Sequence, residues 1–277
     1  MHEPNKIHED LEARYLKVLG VDKSPPTLDF LKRIVSAHLV RAPFENISKL
    51  HRFRLDGRTS IPDLDNYLDG IEGMNFGGTC YANNTHLHSL LHSLGFKVKL
   101  CGADMSQPDV HAVSMVEIED REFLVDVGYG APFFEPLPRD LESNFIIDFG
   151  RCRYILHPQD AEGRSQLEML RDGRLVHAYL AKPNARNPGE FAQAIGDSYR
   201  PDATFMNTVV AERFFPGRSV RIHNLTLTEA EIDGPSSSTD LHDLDELIEA
   251  LDHHIEIPVD ITRQAISGIR LDADIYS

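Results

Sequence analysis

Apolar positions between Ile7 and about Gly95 recur at three- and four-residue spacing, the period of helices with one buried face. Leu11, Tyr15, Leu16 and Leu19 make one stripe. Leu28, Leu31, Ile34, Val35, Ala37, His38 and Leu39 make a second, with Pro25-Pro26 breaking the chain between them and Pro43 ending it. Asp63-Leu64 to Ile71 predicts a further helix with Pro62 at its start. Another opens at Cys80 and carries Asn83, Leu87, Leu90, Leu91 and Leu94 to a terminating Gly95. From Phe96 to about Leu180 the period drops to two. Strands are predicted at Phe96 to Leu100, His111 to Ile118, Phe123 onward, Phe145 to Phe149 and Arg153 to Leu156, the pattern of an antiparallel sheet or barrel. Beyond Pro183 the pattern mixes: a helix at Glu190 to Ile195, a strand pair around Ser219 to Ile222 and Leu225 to Leu227, a polar loop from Asp233 to Thr239, and an acidic helix from Asp240 to Leu251. No internal repeat is visible.

The segment Asn75-Phe76-Gly77-Gly78-Thr79-Cys80-Tyr81-Ala82-Asn83-Asn84 places a cysteine at a helix N-terminus. There it meets the positive end of the macrodipole and unpaired backbone amides, and both favour the thiolate. Gly77 and Gly78 would allow a tight turn and close approach of a substrate. A buried structural cysteine is the competing reading of Cys80 alone. His111 opens a strand, and Asp126 sits within the otherwise apolar Phe123-Leu124-Val125-Asp126-Val127. Burying that carboxylate requires a partner, whereas a solvent-facing one does not. Cys80, His111 and Asp126 therefore spell nucleophile, base and orienter in chain order. A turn centred on Asp120-Arg121 would set Asp126 opposite Met115, about 13 Å of strand away from His111, and a bulge, an asymmetric turn or twist must close the gap.

His88 and His92 have a zinc-compatible i,i+4 spacing on the Cys80 helix, but no third ligand is evident and no metal is expected. Phe44, Tyr129, Phe133 and Phe134 lie near the motif as pocket lining or as packing. The net charge of −16 disfavours nucleic acid and anionic membrane as partners. Arginines from Arg200 through Arg213, Arg218 and Arg221 are candidates for a local phosphate contact, though surface charge accounts equally for each. The chain of 277 residues has no membrane-length apolar run, and Met1-His2-Glu3-Pro4-Asn5 lacks the parts of a signal peptide. Three scattered cysteines, Cys80, Cys101 and Cys152, suit a reducing compartment, so a cytoplasmic location is expected.

The chain resembles the arylamine N-acetyltransferases. The resemblance rests on ordered blocks: Tyr15-Leu16 and Pro26-Thr27-Leu28, Ala37-His38-Leu39 with Ala42-Pro43-Phe44-Glu45-Asn46-Ile47, Gly77-Gly78-Thr79-Cys80 with Leu94-Gly95-Phe96, then His111 and Asp126-Val127-Gly128-Tyr129-Gly130. It implies an α+β fold with a cysteine-protease-like core: an N-terminal helical bundle over residues 1–95 carrying Cys80, a central antiparallel β-barrel over 96–183 carrying His111 and Asp126, and a C-terminal α/β lid over 184–277. It also implies ping-pong acetyl transfer from acetyl-CoA, a substrate and not a resident cofactor, through an acetyl-Cys80 thioester to an arylamine, arylhydrazine or hydroxyarylamine. The alternatives are an amide synthase or acyltransferase of the same fold with another acyl thioester donor, and a non-catalytic binding protein. CoA-binding residues, acceptor, acyl preference and oligomeric state are not assigned by these motifs. In one departure, Phe76 stands where the family generally has an arginine that pairs with the glutamate matched by Glu45; either Arg41, Arg52 or Arg54 substitutes, or Glu45 is more solvated than usual.

Overall fold

Helix α1, Glu9–Leu19, and helix α2, Leu28–Arg41, bury the two predicted stripes, with Tyr15, Phe30, Leu31 and Ile34 inaccessible to solvent. The Thr27 side chain caps α2 by accepting from the Phe30 amide. The structure is a computed structural model that describes residues 7–232, 234–269 and 271; the N-terminal pentapeptide read against a signal peptide lies outside the described residues. A two-residue strand, β1 (Phe44–Glu45), leads into α3, Ile47–Asp56. Helix α4 spans Leu64–Met74 and is capped by Asp63, whose side chain accepts from the Asn66 amide, so Pro62 precedes the cap. Helix α5, Cys80–Ser93, is buried along most of its length and runs through the centre of the helical layer. Gly95, at φ 87°, turns the chain after it.

Eight strands form one antiparallel sheet that curls into a nearly closed barrel. In sequence they are β2 (Lys97–Asp104), β3 (His111–Ile118), β4 (Arg121–Val125), β5 (Leu137–Pro138), β6 (Phe145–Phe149), β7 (Cys152–Leu156), β8 (Ser165–Arg171) and β9 (Arg174–Ala185). Their order across the sheet is β5-β4-β3-β2-β9-β8-β7-β6. Strands β2 and β3 lie against α5, which places the nucleophile helix beside the strand that His111 opens.

A 3₁₀ turn, Pro188–Phe191, runs into α6, Ala192–Asp197, and a one-turn helix α7 covers Thr204–Asn207. The second sheet is antiparallel, β1-β10-β11-β12-β13, with β10 at Val210–Phe215, β11 at Arg218–His223, β12 at Thr226–Glu231 and β13 at Ser236–Asp240. Phe44 and Glu45 pair with Glu212 and Ala211, so this sheet is stitched to the N-terminal layer. The last elements are α8, Leu244–Ala250, a π turn over Leu251–Ile255, and α9, Val259–Ile266, which packs on α3.

Three expectations are corrected. The stretch read as a polar loop contains β13, whose half-buried Ser236 and exposed Ser237 to Asp240 are held by the backbone ladder to β12 and carry no apolar alternation. The turn between β3 and β4 is Glu119-Asp120, both at positive φ, and Arg121 and Glu122 belong to β4. Gly77 serves the chain's own backbone: a Cβ there would stand 1.9 Å from the Pro43 carbonyl oxygen.

Candidate active site

Cys80 is the first residue of α5 and is 8% exposed. Thr79 at the N-cap makes no side-chain cap hydrogen bond. Around the sulfur, Cys80 packs in a buried cluster with Leu100, Ala112, Phe191, Ile195 and Tyr199, so the 3₁₀ turn and α6 cover the nucleophile. Its thiol lies 3.9 Å from the Val110 carbonyl oxygen, one residue before His111.

His111 and Asp126 are both buried, and His111 Nε2 is 2.7 Å from Asp126 Oδ2. The turn sets the register that permits this. Ile118 pairs with Arg121 and Ser114 with Val125, so Asp126 is the first residue past β4. Continuing the ladder would set it two residues from His111, about 7 Å, half the expected separation. Freed from the sheet, Asp126 turns back toward the imidazole. Its Oδ1 accepts from Asn84 Nδ2 at 2.8 Å and from the Gly128 amide at 3.1 Å. Burial opposes a charged His111, but the charge and hydrogen bond of Asp126, followed by those of Cys80, raise its pKa above the ordinary imidazole value. With Nε2 committed to Asp126, Nδ1 is the ring nitrogen left for Cys80.

Asn84 closes the Cys80 motif in the sequence without a role of its own there. In the structure it ties three segments together: Nδ2 also donates to Ala112 O at 2.7 Å, and Oδ1 accepts from the Val127 amide at 2.9 Å. It stands one helical turn after Cys80, and the signal was a second asparagine on the inward side of a core helix. Asn83, read as part of the apolar stripe, bonds Tyr67 and the Gly78 carbonyl instead.

Glu45 is fully buried. Its oxygens accept from the Ser48 amide at 2.8 Å and the Gly77 amide at 3.1 Å. Burial raises its pKa, partly offset by these bonds and by the field of Arg52. Among the described residues no arginine forms an ion pair with Glu45; of the three candidates Arg52 is the one whose field reaches it, while its guanidinium donates to the Asn66 carbonyl and lies 5.9 Å from the Phe76 ring centre. Arg41 bonds Asn75 and Ile71, and Arg54 bonds the Ala265 carbonyl.

Of the aromatic candidates, Tyr129 lies 5.8 Å from His111 between ring centres and its hydroxyl pairs with His177. Phe133 is core, Phe134 packs on Phe214, and Phe44 faces Phe205. Among the arginines considered for phosphate, Arg200, Arg213 and Arg221 face Asp202, Glu256 and Glu212. His88 and His92 rings stand 6.4 Å apart, and among the described residues no group of three or more His, Cys, Asp or Glu could hold a metal ion.

A family model described as N-acetyltransferase matches residues 27–264. The chain belongs to the arylamine N-acetyltransferase family. It is 32% identical over 143 residues to the pineal gland isozyme of arylamine N-acetyltransferase from Gallus gallus, covering 48% of each chain. It is 31% identical over 121 residues to an N-malonyltransferase of Fusarium pseudograminearum, covering 38% of this chain and 34% of that one. The chain spans about half the length of the curated relatives it matches, or less. The fold is that of the Nocardia farcinica arylamine N-acetyltransferase, with a TM-score of 0.78, 97% of both chains covered and 24% identity.

Proposed function

We propose that this protein is an acetyl-CoA-dependent N-acetyltransferase for arylamines, arylhydrazines or hydroxyarylamines, with Cys80, His111 and Asp126 as its catalytic residues. The observation that carries the reading is the buried 2.7 Å contact between His111 and Asp126 beside the first residue of α5, joined to family membership. A hydrogen-bonded imidazole whose pKa is raised is charged near neutral pH and stabilises the Cys80 thiolate as an ion pair. The thiolate attacks the thioester carbonyl, and uncapped first-turn amides are available to the developing oxyanion. The carbon–sulfur bond to CoA breaks, CoA leaves as a thiolate that takes the His111 proton, and the acetyl group remains on Cys80 with His111 neutral. An amine then attacks that thioester while His111 takes its proton, with Asp126 fixing the tautomer and orientation. Aromatic side chains near His111, Tyr179 at 5.1 Å and the less buried Tyr129 at 5.8 Å between ring centres, suit a flat acceptor. The three domains expected over residues 1–95, 96–183 and 184–277 are retained as the working division. Three free cysteines support a reducing, cytoplasmic setting.

Incubation with acetyl-CoA and no acceptor, followed by intact-mass and peptide analysis, tests the proposal. A gain of one acetyl group on the Cys80 peptide, released by an aromatic amine with stoichiometric CoA, is expected. No adduct on a thiol that still reacts with iodoacetamide moves the reading to another acyl thioester donor, and an inert thiol moves it to a binding protein.

A further inference from the structure

A cavity of about 250 Å³ lies between barrel strands β6 to β8 and the second sheet. None of Cys80, His111, Asp126 and Tyr129 lines it, so it is separate from the site described above. The barrel gives it an apolar wall of Phe149, Tyr154 and Met169, all buried. Phe214 of β10 closes one end against Phe149, with ring centres 6.3 Å apart. Roughly 150 Å³ suffices for a benzene molecule, so the space accommodates a ring that carries a substituent.

The charges around this space do not balance. Glu212 is the one acidic residue that lines it, and Arg151, Arg171 and Arg221 line it as well. Arg151 is held by Asp172. Glu212 is 7% exposed, and its ion pair with Arg221 is 3.7 Å long, beyond hydrogen-bond reach. Arg171, at the end of β8, is half-buried and has no side-chain hydrogen bond or ion pair among the described residues. Burial raises the Glu212 pKa and the fields of Arg221 and Arg171 oppose that rise, so both guanidinium groups stand near one carboxylate. Ser236 Oγ, on the same lining, is shielded from solvent and has no hydrogen-bond partner among the described residues. A guanidinium held partly out of water without a partner is costly, and a carboxylate that receives its parallel N–H groups offsets the cost. One further negative charge brings the two arginines and Glu212 to neutrality, whereas a phosphate dianion would set excess charge against Glu212.

We infer that this cavity is a second ligand site, one that binds a small aromatic carboxylate with its anion on Arg171 and Arg221 and its ring against Phe149, Tyr154 and Met169. The Ser236 hydroxyl is available there as a further donor. A molecule held in this way is not presented to Cys80, because Phe133 and Tyr129 follow one another between Tyr154 and His111, with ring centres 5.4, 6.1 and 5.8 Å apart along the series. The site is therefore independent of the acetyl-transfer reading and stands or falls without it.

The probes are benzoate and benzamide, alike in shape and different in charge, and neither carries an arylamine that could be acetylated. Calorimetric titration of the full-length protein should show saturable benzoate binding, with benzamide at least tenfold weaker. Arg171→Gln should weaken benzoate at least tenfold. Cys152 lines the cavity and is a free, partly exposed thiol, so it reports on the place of binding. Benzoate should slow alkylation of the Cys152 peptide by N-ethylmaleimide and leave that of the Cys80 peptide unaltered. No saturable benzoate binding at millimolar concentration overturns the inference, as does equal affinity for benzoate and benzamide, or an unaltered affinity in Arg171→Gln. Protection of Cys80 in place of Cys152 puts the anion in the active site and overturns it too. If Arg171→Gln does not fold, the benzoate-to-benzamide ratio and the protected cysteine decide by the same criteria; if Cys152 does not react, the ratio and Arg171→Gln decide.

Discussion

Gly128 lies against the backbone of Cys80 so closely that a Cβ at residue 128 would stand 2.7 Å from the Cys80 Cα and 2.9 Å from its carbonyl oxygen. The same atom would meet Asn84 Nδ2 at 2.7 Å. The loop after β4 therefore carries Asp126 to the head of α5 only because its next residue but one has no side chain. Gly128→Ala is expected to push Asp126 away from His111, lowering the rate of Cys80 acylation at least tenfold and the stability by roughly 1–3 kcal/mol, the usual cost of overpacking. Acylation kinetics and urea unfolding check the two parts separately; an unaltered acylation rate would contradict the close approach.

Asn84 makes three buried hydrogen bonds that link α5, β3 and the Asp126 loop. Asn84→Ala strands the Val127 amide and the Ala112 carbonyl, and a loss of roughly 2–4 kcal/mol follows from leaving such groups unpaired. Asn84→Asp should be worse for activity than its size suggests, since it sets a second carboxylate against Asp126. Denaturant titration and iodoacetamide labelling of Cys80 in both variants measure this. Equal labelling rates in the two would argue against the electrostatic part.

Phe76 is 2% exposed and packs with Ile47 and Leu50, while Arg52 already supplies the positive field at Glu45. Phe76→Arg, which restores the residue usual in the family, should here destabilise by at least about 2 kcal/mol, because it buries a cation beside an existing one and removes a core ring. A urea midpoint at or above that of the unaltered protein would show that Glu45 can accept a nearer partner.

Acid should unfold the helical layer early. His38 is held down to about 3 and His86 and His88 to about 4, all by burial first. In the unfolded chain each protonates near pH 6.5. Between that value and the folded ones the unfolded state holds more protons, so stability falls as pH falls, by up to about 1.4 kcal/mol per pH unit per histidine. His111 has the opposite sign: its raised pKa stabilises the fold below pH 6.5, and that contribution is lost as pH rises through the folded value. Chemical denaturation at pH 7.5, 6 and 5 should show a steep acid loss. His38→Gln, whose side chain sits between the hydroxyls of Tyr15 and Tyr67, should flatten it.

Much of the site was legible before any coordinates. A Gly-Gly-Thr-Cys corner followed by helical periodicity places Cys80 at a helix start, and apolar alternation places His111 at the head of a strand, because both signals are local. The periods also separate the helical layer from the barrel. Register was not local in the same sense. Glu119 and Asp120 both adopt positive φ, a conformation that aspartate tolerates and glutamate does not favour, so composition alone put the turn one residue too late and doubled the distance from Asp126 to His111. Strand β13 was invisible for a related reason, since its serines gain their order from the ladder with β12 and bury almost nothing.

The sequence by itself determined which residue types carry the chemistry and in what order they come, since helix caps, strand alternation and glycine corners are written within a few positions of one another. Tertiary structure decided how they meet. Asp126 swings out of the sheet to His111, Gly128 lets its loop touch Cys80, and Glu45 is buried on the amides of Ser48 and Gly77. Each depends on segments far apart in the chain, and on the cost of burying charge, which no local pattern records.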